Sequence, residues 1–225
     1  MSSEVLTSVR DGVAWLTLKR PAKRNAMTSQ MWDTLRSAAV DFGGRDDVRV
    51  LAIQGSGGCF TAGADLESIM ESDGSLSRGY HDKAFAALAA IREFPFPTLA
   101  LVDGPCIGAG CSIALSCDVR FASTSAVFAV PGVSLGIVYE EWSVARLVDL
   151  MGSGRTSRFL LAAQRLPAPE AEVWGLIERC TDDLTSEGEA YLRTVCSGDR
   201  NAIAGTRRII RRLARSIDRQ PPAGA

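Results

Sequence analysis

Two stretches of this chain gather small residues where backbone amides could do chemistry. Phe60-Thr61-Ala62-Gly63-Ala64-Asp65-Leu66 follows an apolar run at 48–53, and Gly104-Pro105-Cys106-Ile107-Gly108-Ala109-Gly110-Cys111 follows another at 98–102. Small side chains leave N–H groups uncovered, and a helix opening after each loop would aim further unpaired donors into the same space. Ligands of parallel sheets settle beyond the carboxyl ends of the strands, where both loops would lie. Two converging N–H donors would stabilise an oxygen that gains negative charge, such as that of a thioester enolate. Either loop on its own reads better as a tight turn filled with small residues. Metal chemistry has little to work with: His81 is the only histidine, and it reads as a solvated side chain in a polar loop. The six cysteines form no CxxC pair and read as buried thiols of a reducing cytoplasm.

The elements that must carry these loops can be read from periodicity. Val5, Thr7 and Val9 alternate up to Asp11-Gly12, and Val13, Trp15 and Thr17 alternate after it, which predicts a hairpin. A basic loop, Arg20-Pro21-Ala22-Lys23-Arg24-Asn25, precedes Thr28, a plausible N-cap. Met31, Leu35, Ala38 and Ala39 then recur at helical spacing up to Phe42 and Gly43. The runs 48–53 and 98–102 predict strands buried on both faces, with a helix between them over 76–92 that ends before Pro95 and Pro97. A glycine-rich turn at 104–110 leads into a helix through Cys117, and 119–121 and 127–129 predict short strands. From Glu140 the pattern turns helical, with breaks at Gly152-Ser153-Gly154 and Pro167, a late strand at 176–179 and a basic helix over 202–213. The tail 220–225 predicts a frayed end. Interleaved strands and helices followed by helices alone predict an α/β core with a helical C-terminal part.

Composition narrows the partners. The 225 residues carry 25 Lys and Arg against 26 Asp and Glu, with 46% apolar and 23% charged residues. Such a chain can bury a substantial core and shows no basic footprint for nucleic acid. No stretch predicts a membrane span, because 98–117 is broken by Asp103, Pro105 and several glycines, and residues 1–9 carry no secretory signal.

The two loops resemble a family when joined to Leu18-Lys19-Arg20-Pro21-Ala22-Lys23-Arg24-Asn25-Ala26-Met27 and Ala114-Leu115-Ser116-Cys117-Asp118. In that order and spacing, up to about Gly175, the chain is similar to the enoyl-CoA hydratase/isomerase (crotonase) superfamily. The resemblance implies a ββα spiral over 1–175 with a shortened helical region over 176–225, a homotrimer or hexamer, and an acyl-CoA thioester as ligand. It implies no separate cofactor, coenzyme A being part of the substrate. Carried over residue by residue, the oxyanion donors fall on the N–H groups of Ala64 and Ala109, with Ala62, Leu66 and Gly108 around them. Lys23 and Arg24 would lie near the coenzyme A phosphates, and Asp65 reads as capping the next helix more than touching substrate.

The family's hydration chemistry requires two glutamates, and here their positions hold Ser112 and, after Pro131, Gly132. A departure nearby, Tyr139-Glu140-Glu141-Trp142-Ser143, places an acid where some isomerase members carry one. The resemblance therefore implies a single base, Glu140, that moves a proton between the α and γ carbons of an enoyl thioester. The rival reading has both glutamates favouring a helix N-terminus through its dipole, which suits Glu141 well. Tyr139 and Trp142 would shape the acyl pocket or pack in the core. Members lacking both glutamates include non-catalytic acyl-CoA binders, so a binding protein stands as the alternative, and a ligand-free scaffold as a third reading. Arg207, Arg208, Arg211 and Arg212 predict a solvated stripe, with Ile209, Ile210 and Leu213 free to pack.

Overall fold

A computed structural model describes residues 4–69 and 77–217. The hairpin forms as the DG turn predicts: β1 (Val5–Arg10) pairs antiparallel with β2 (Val13–Leu18), in register Val5 to Leu18. Thr28 Oγ1 accepts from Met31 N–H at 3.2 Å and opens α1 (Ser29–Gly43). Next come β3 (Val50–Gly55), the short α2 (Leu66–Ile69), α3 (Arg78–Arg92) and β4 (Thr98–Val102). The predicted first residues of α3 include Leu76, which lies outside the described residues, as does the tail 220–225. The glycine-rich turn is more structured than expected: β5 (Pro105–Ile107) forms inside it before α4 (Ala109–Ser116). Then follow β6 (Val119–Ser123), β7 (Val127–Ala129), α5 (Glu141–Leu161), β8 (Leu166–Pro167), α6 (Ala168–Trp174), β9 (Arg179–Thr181), α7 (Leu184–Cys196) and α8 (Arg200–Ile217). The expected break at 152–154 is a kink at Gly152, whose φ is 78°.

The main sheet runs β1-β2-β3-β4-β6-β9, all parallel after the first pair, and β5-β7-β8 form a small second sheet. Period-two alternation divides the core between the faces of the large sheet. Ala14, Leu16, Leu51, Ile53, Ala100 and Val102 turn toward α1, α3 and α4, while Val13, Trp15, Val50, Ala52, Leu99 and Leu101 turn toward Leu192 of α7. Both faces are covered, which is why these strands read as nearly continuous apolar runs.

Three expectations need correction. The late strand lies at Arg179–Thr181, not 176–179, because Leu176 and Ile177 pack in the core while β9 pairs with β6. Cys180 and Cys196 are only half-buried, unlike the four other free thiols. The stripe on α8 is reversed: Arg207 is buried and Arg211 half-buried, both ion-paired to Asp118, while Ile209 and Ile210 are exposed. The cause is the supply of oxygens beneath the helix, since Arg207 also donates to the Arg92 and Phe94 carbonyls and Arg211 to that of Ser116. The Arg92 and Ser116 carbonyls close α3 and α4, where helix ends lack internal donors, and Phe94 lies just past the end of α3. Arg208 and Arg212 are exposed, as expected. Among the described residues no helix is long and apolar enough to cross a membrane.

Candidate active site

The two small-residue loops leave the carboxyl ends of adjacent parallel strands, β3 and β4, and are stitched together. Thr61 N–H donates to Pro105 O and Ile107 N–H to Thr61 O, both at 3.0 Å. A Cβ on Gly63 would stand 3.0 Å from Ile107 O and 4.0 Å from Ala109 N, so the loops touch where the small residues lie. On the other side, Met27 N–H donates to Gly63 O (2.7 Å) and Asp65 N–H to Met27 O (2.9 Å). This bridge occupies the groups flanking Ala64 and leaves the Ala64 N–H without an acceptor among the described residues. Ala109 begins α4, so its N–H also has no acceptor there. Neither alanine has a positive φ.

Residues 20–25 act as a frame for the first loop. Asn25 is fully buried at φ 55°; its Nδ2 donates to Ser56 O (2.9 Å) and Cys59 O (2.7 Å), and its Oδ1 accepts from Arg20 N–H (2.7 Å). Asn tolerates this left-handed conformation better than most residues.

Both loops open onto a cavity of about 310 Å³. Of the residues singled out in the sequence, Ala62, Ala64, Leu66, Gly108, Ala109, Ser112, Pro131, Gly132, Tyr139 and Glu140 line it. Lys23, Arg24, Asp65 and Trp142 do not. Lys23 is exposed and paired with Glu67 at 2.8 Å, and Arg24 is exposed. Asp65 is buried, with its carboxylate on Arg20. Trp142 lies under the Arg92 guanidinium, 4.1 Å from its ring centre, and borders a separate hollow beside α8. Of the two places expected for Trp142, the acyl pocket is corrected and packing against the core holds, because the first turn of α5 carries it away from the cavity.

A wall that sequence reading missed comes from α1 and α3: Trp32, Tyr80, His81, Ala84, Phe85 and Leu88. Tyr80, Ala84 and Leu88 recur at four-residue spacing, and Phe85 is 52% exposed, an apolar ring left on a surface helix. That exposure, once the helix is drawn, is the available signal. His81 sits on this helix rather than in a polar loop. Burial pushes the Tyr80 phenol up to about 12, so it stays neutral.

The cavity's polar groups cluster at one end. Glu140 Oε1 accepts from Ser112 Oγ (2.5 Å) and Ser143 Oγ (2.9 Å), while Oε2 has no hydrogen-bond partner among the described residues. Glu140 stands at the N-cap position of α5, but its side chain makes no cap bond and turns instead to Ser112. Glu141 is exposed in the first turn, as the dipole reading expects. Ser112 Oγ also meets Tyr139 Oη at 2.7 Å, and Tyr139 Oη donates to Gly108 O at 3.1 Å. Burial first, and then the neighbouring Glu140, push the Tyr139 phenol well above its ordinary value. Glu140 is the one acid among the described residues that line the cavity.

A family model described as enoyl-CoA hydratase/isomerase matches residues 8–218. The chain belongs to that family. It is 34% identical over 172 residues to the protein named probable enoyl-CoA hydratase echA6 of Mycobacterium leprae, covering 75% of this chain and 68% of that one. It is 35% identical over 190 residues to the 2,3-dehydroadipyl-CoA hydratase of Escherichia coli, covering 82% and 72%. Among solved structures, the enoyl-CoA hydratase/isomerase of Pseudoalteromonas atlantica superposes with a TM-score of 0.86 at 29% identity, over 96% of this chain and 86% of that one. An enoyl-CoA hydratase of Mycobacterium avium gives 0.85 at 28%, over 95% and 83%. The fold is the α/β crotonase spiral that the motifs implied.

Proposed function

We propose that this chain binds an acyl-CoA thioester and shifts the double bond of a 3-enoyl chain, with Glu140 as sole base and the Ala64 and Ala109 N–H groups as oxyanion donors. The observation that carries this reading is Glu140, the one carboxylate among the described residues that line the cavity, which both unpaired N–H groups border. Two serines hold its Oε1, which leaves Oε2 to meet the α proton. As Oε2 takes that proton, the C–H electrons form a dienolate and the charge moves onto the thioester oxygen, where two backbone donors stabilise it. Glu140 then returns the proton to the γ carbon, and the carbonyl reforms with the double bond conjugated to it. One carboxylate suffices, because the proton that leaves is the one that returns.

Hydration by a pair of glutamates fits these residues poorly. Ser112 cannot exchange a proton as a carboxylate does near neutral pH, and Glu140 brings its carboxylate to that serine's side. At Gly132 even a Cβ would stand 2.8 Å from Ile137 O, so no larger side chain enters without moving the loop. The names of these two relatives, both of hydratases acting on CoA thioesters, support the ligand class.

The test compares wild type with Glu140→Gln on 3-enoyl-CoA and 2-enoyl-CoA, alongside binding of a saturated acyl-CoA. Turnover of the 3-enoyl substrate should fall by about 10²–10⁴-fold while binding changes little. Unchanged turnover would remove Glu140 from the role. Tight binding by a wild type that turns over no thioester would instead establish the non-catalytic binder, and rapid hydration of 2-enoyl-CoA would mean that water is activated elsewhere.

A further inference from the structure

The Tyr139 hydroxyl donates to the carbonyl of Gly108, and that carbonyl belongs to the same peptide unit as the Ala109 N–H. From this geometry, and resting on the oxyanion reading above, we infer that Tyr139 is a positioning residue that orients and polarises the Gly108–Ala109 peptide so that its N–H binds the thioester oxygen more strongly. A peptide is a resonant plane, so a donor at its oxygen draws density from its nitrogen and strengthens the N–H as a donor; such cooperativity is worth about 10–30% of a bond. The same contact helps fix the plane's direction, together with Ser112 N–H, which donates to Gly108 O at 3.2 Å as the first bond of α4. Gly108 sits at φ 49° and ψ −107°, a conformation open to glycine alone, and its own N–H is held by Ala129 O at 2.8 Å. Tyr139 and Ser112 N–H secure the opposite side of that residue.

The count of protons agrees with this arrangement. Ser112 has one hydroxyl proton and gives it to Glu140 Oε1, so it meets Tyr139 with a lone pair. The Tyr139 proton is then shared between Ser112 Oγ at 2.7 Å and Gly108 O at 3.1 Å in a three-centre bond. The phenol's raised pKa keeps that proton in place. Removing the Ser112 hydroxyl should therefore release Tyr139 to donate to Gly108 alone.

The experiment reads the thioester carbonyl stretch of a bound saturated acyl-CoA by isotope-edited infrared difference spectroscopy. It uses wild type, Tyr139→Phe, Ser112→Ala, and a variant with 3-fluorotyrosine at 139, which keeps the fold and makes the phenol a stronger donor. Wild type should show the stretch lowered relative to free ligand. Tyr139→Phe should lose part of that shift with its dissociation constant within about threefold and its kcat down by about tenfold. Ser112→Ala should keep or enlarge the shift even as turnover falls, and 3-fluorotyrosine should enlarge it. A full shift in Tyr139→Phe, or no response to the fluorinated side chain, overturns the role of Tyr139 and leaves the oxyanion reading standing. A bound wild-type complex with no shift overturns the oxyanion reading itself.

Discussion

Gly108 shows how much of the proposed chemistry depends on one backbone angle. A Cβ there meets nothing within 4 Å, so alanine would not clash; its cost lies in φ 49° with ψ −107°, which an L side chain resists by about 1–3 kcal/mol. The chain would relieve that strain by turning the Gly108–Ala109 peptide, and the N–H would swing off the cavity. Gly108→Ala should therefore cut kcat by about 10²-fold, approaching the loss of an oxyanion donor, while lowering the unfolding free energy by no more than about 2 kcal/mol in urea titrations. Full activity in the alanine variant would mean that this peptide's orientation does not matter. At this scale the sequence was a partial guide. Glu140 could be singled out from its turn, but its bond to Ser112 spans 28 residues of chain, and no local pattern records such a pairing. Asn25 escaped notice as a frame for the first loop for the same reason: its carbonyl partners lie more than 30 positions away.

At the scale of elements, α8 docks through charge. Asp118 receives Arg207 Nε at 2.6 Å and Arg211 Nε at 3.0 Å, and also accepts from Thr98 N–H at the start of β4. Burial alone would raise this carboxyl, but the two guanidinium groups outweigh it and hold it below the usual aspartate range. A carboxyl depressed in the folded state stabilises the fold above its unfolded pKa, about 3.9, and loses that contribution as pH falls through the lower folded value. The melting temperature of wild type should accordingly drop more steeply between about pH 5 and pH 2.5 than that of Asp118→Asn, which should be the less stable protein at pH 7 by about 2–4 kcal/mol. Parallel curves would show that the pair does not anchor the helix. Most elements were legible because their signals are local: the DG hairpin, the Thr28 cap, the apolar runs of β3 and β4. The orientation of α8 was not, since charged residues ordinarily face water, and here Asp118 together with the carbonyls at the ends of α3 and α4 reverses that preference. Nor was the position of β9, a three-residue strand defined by its partner β6 rather than by its own composition.

Across the whole molecule, the parallel sheet determines where ligand can go. Its two faces are filled, one by α1, α3 and α4 and the other by α7, so the space left for a ligand opens beyond the carboxyl ends of β3 and β4. There the stitched loops supply N–H groups, the segment 130–140 supplies Glu140, and α1 and α3 supply an apolar wall suited to an acyl chain. The loops were readable because, joined to 18–27 and 114–118, they resemble a family in order and spacing, whereas the wall was not, because a helix that faces a cavity and one that faces a core show the same spacing. The measurement that tests this account most directly is a crystal structure with a saturated acyl-CoA bound. The account predicts the thioester oxygen within about 2.7–3.1 Å of both the Ala64 and Ala109 nitrogens, with the α carbon facing Glu140 Oε2. A thioester oxygen bonded to neither nitrogen in a fully occupied ligand would contradict it.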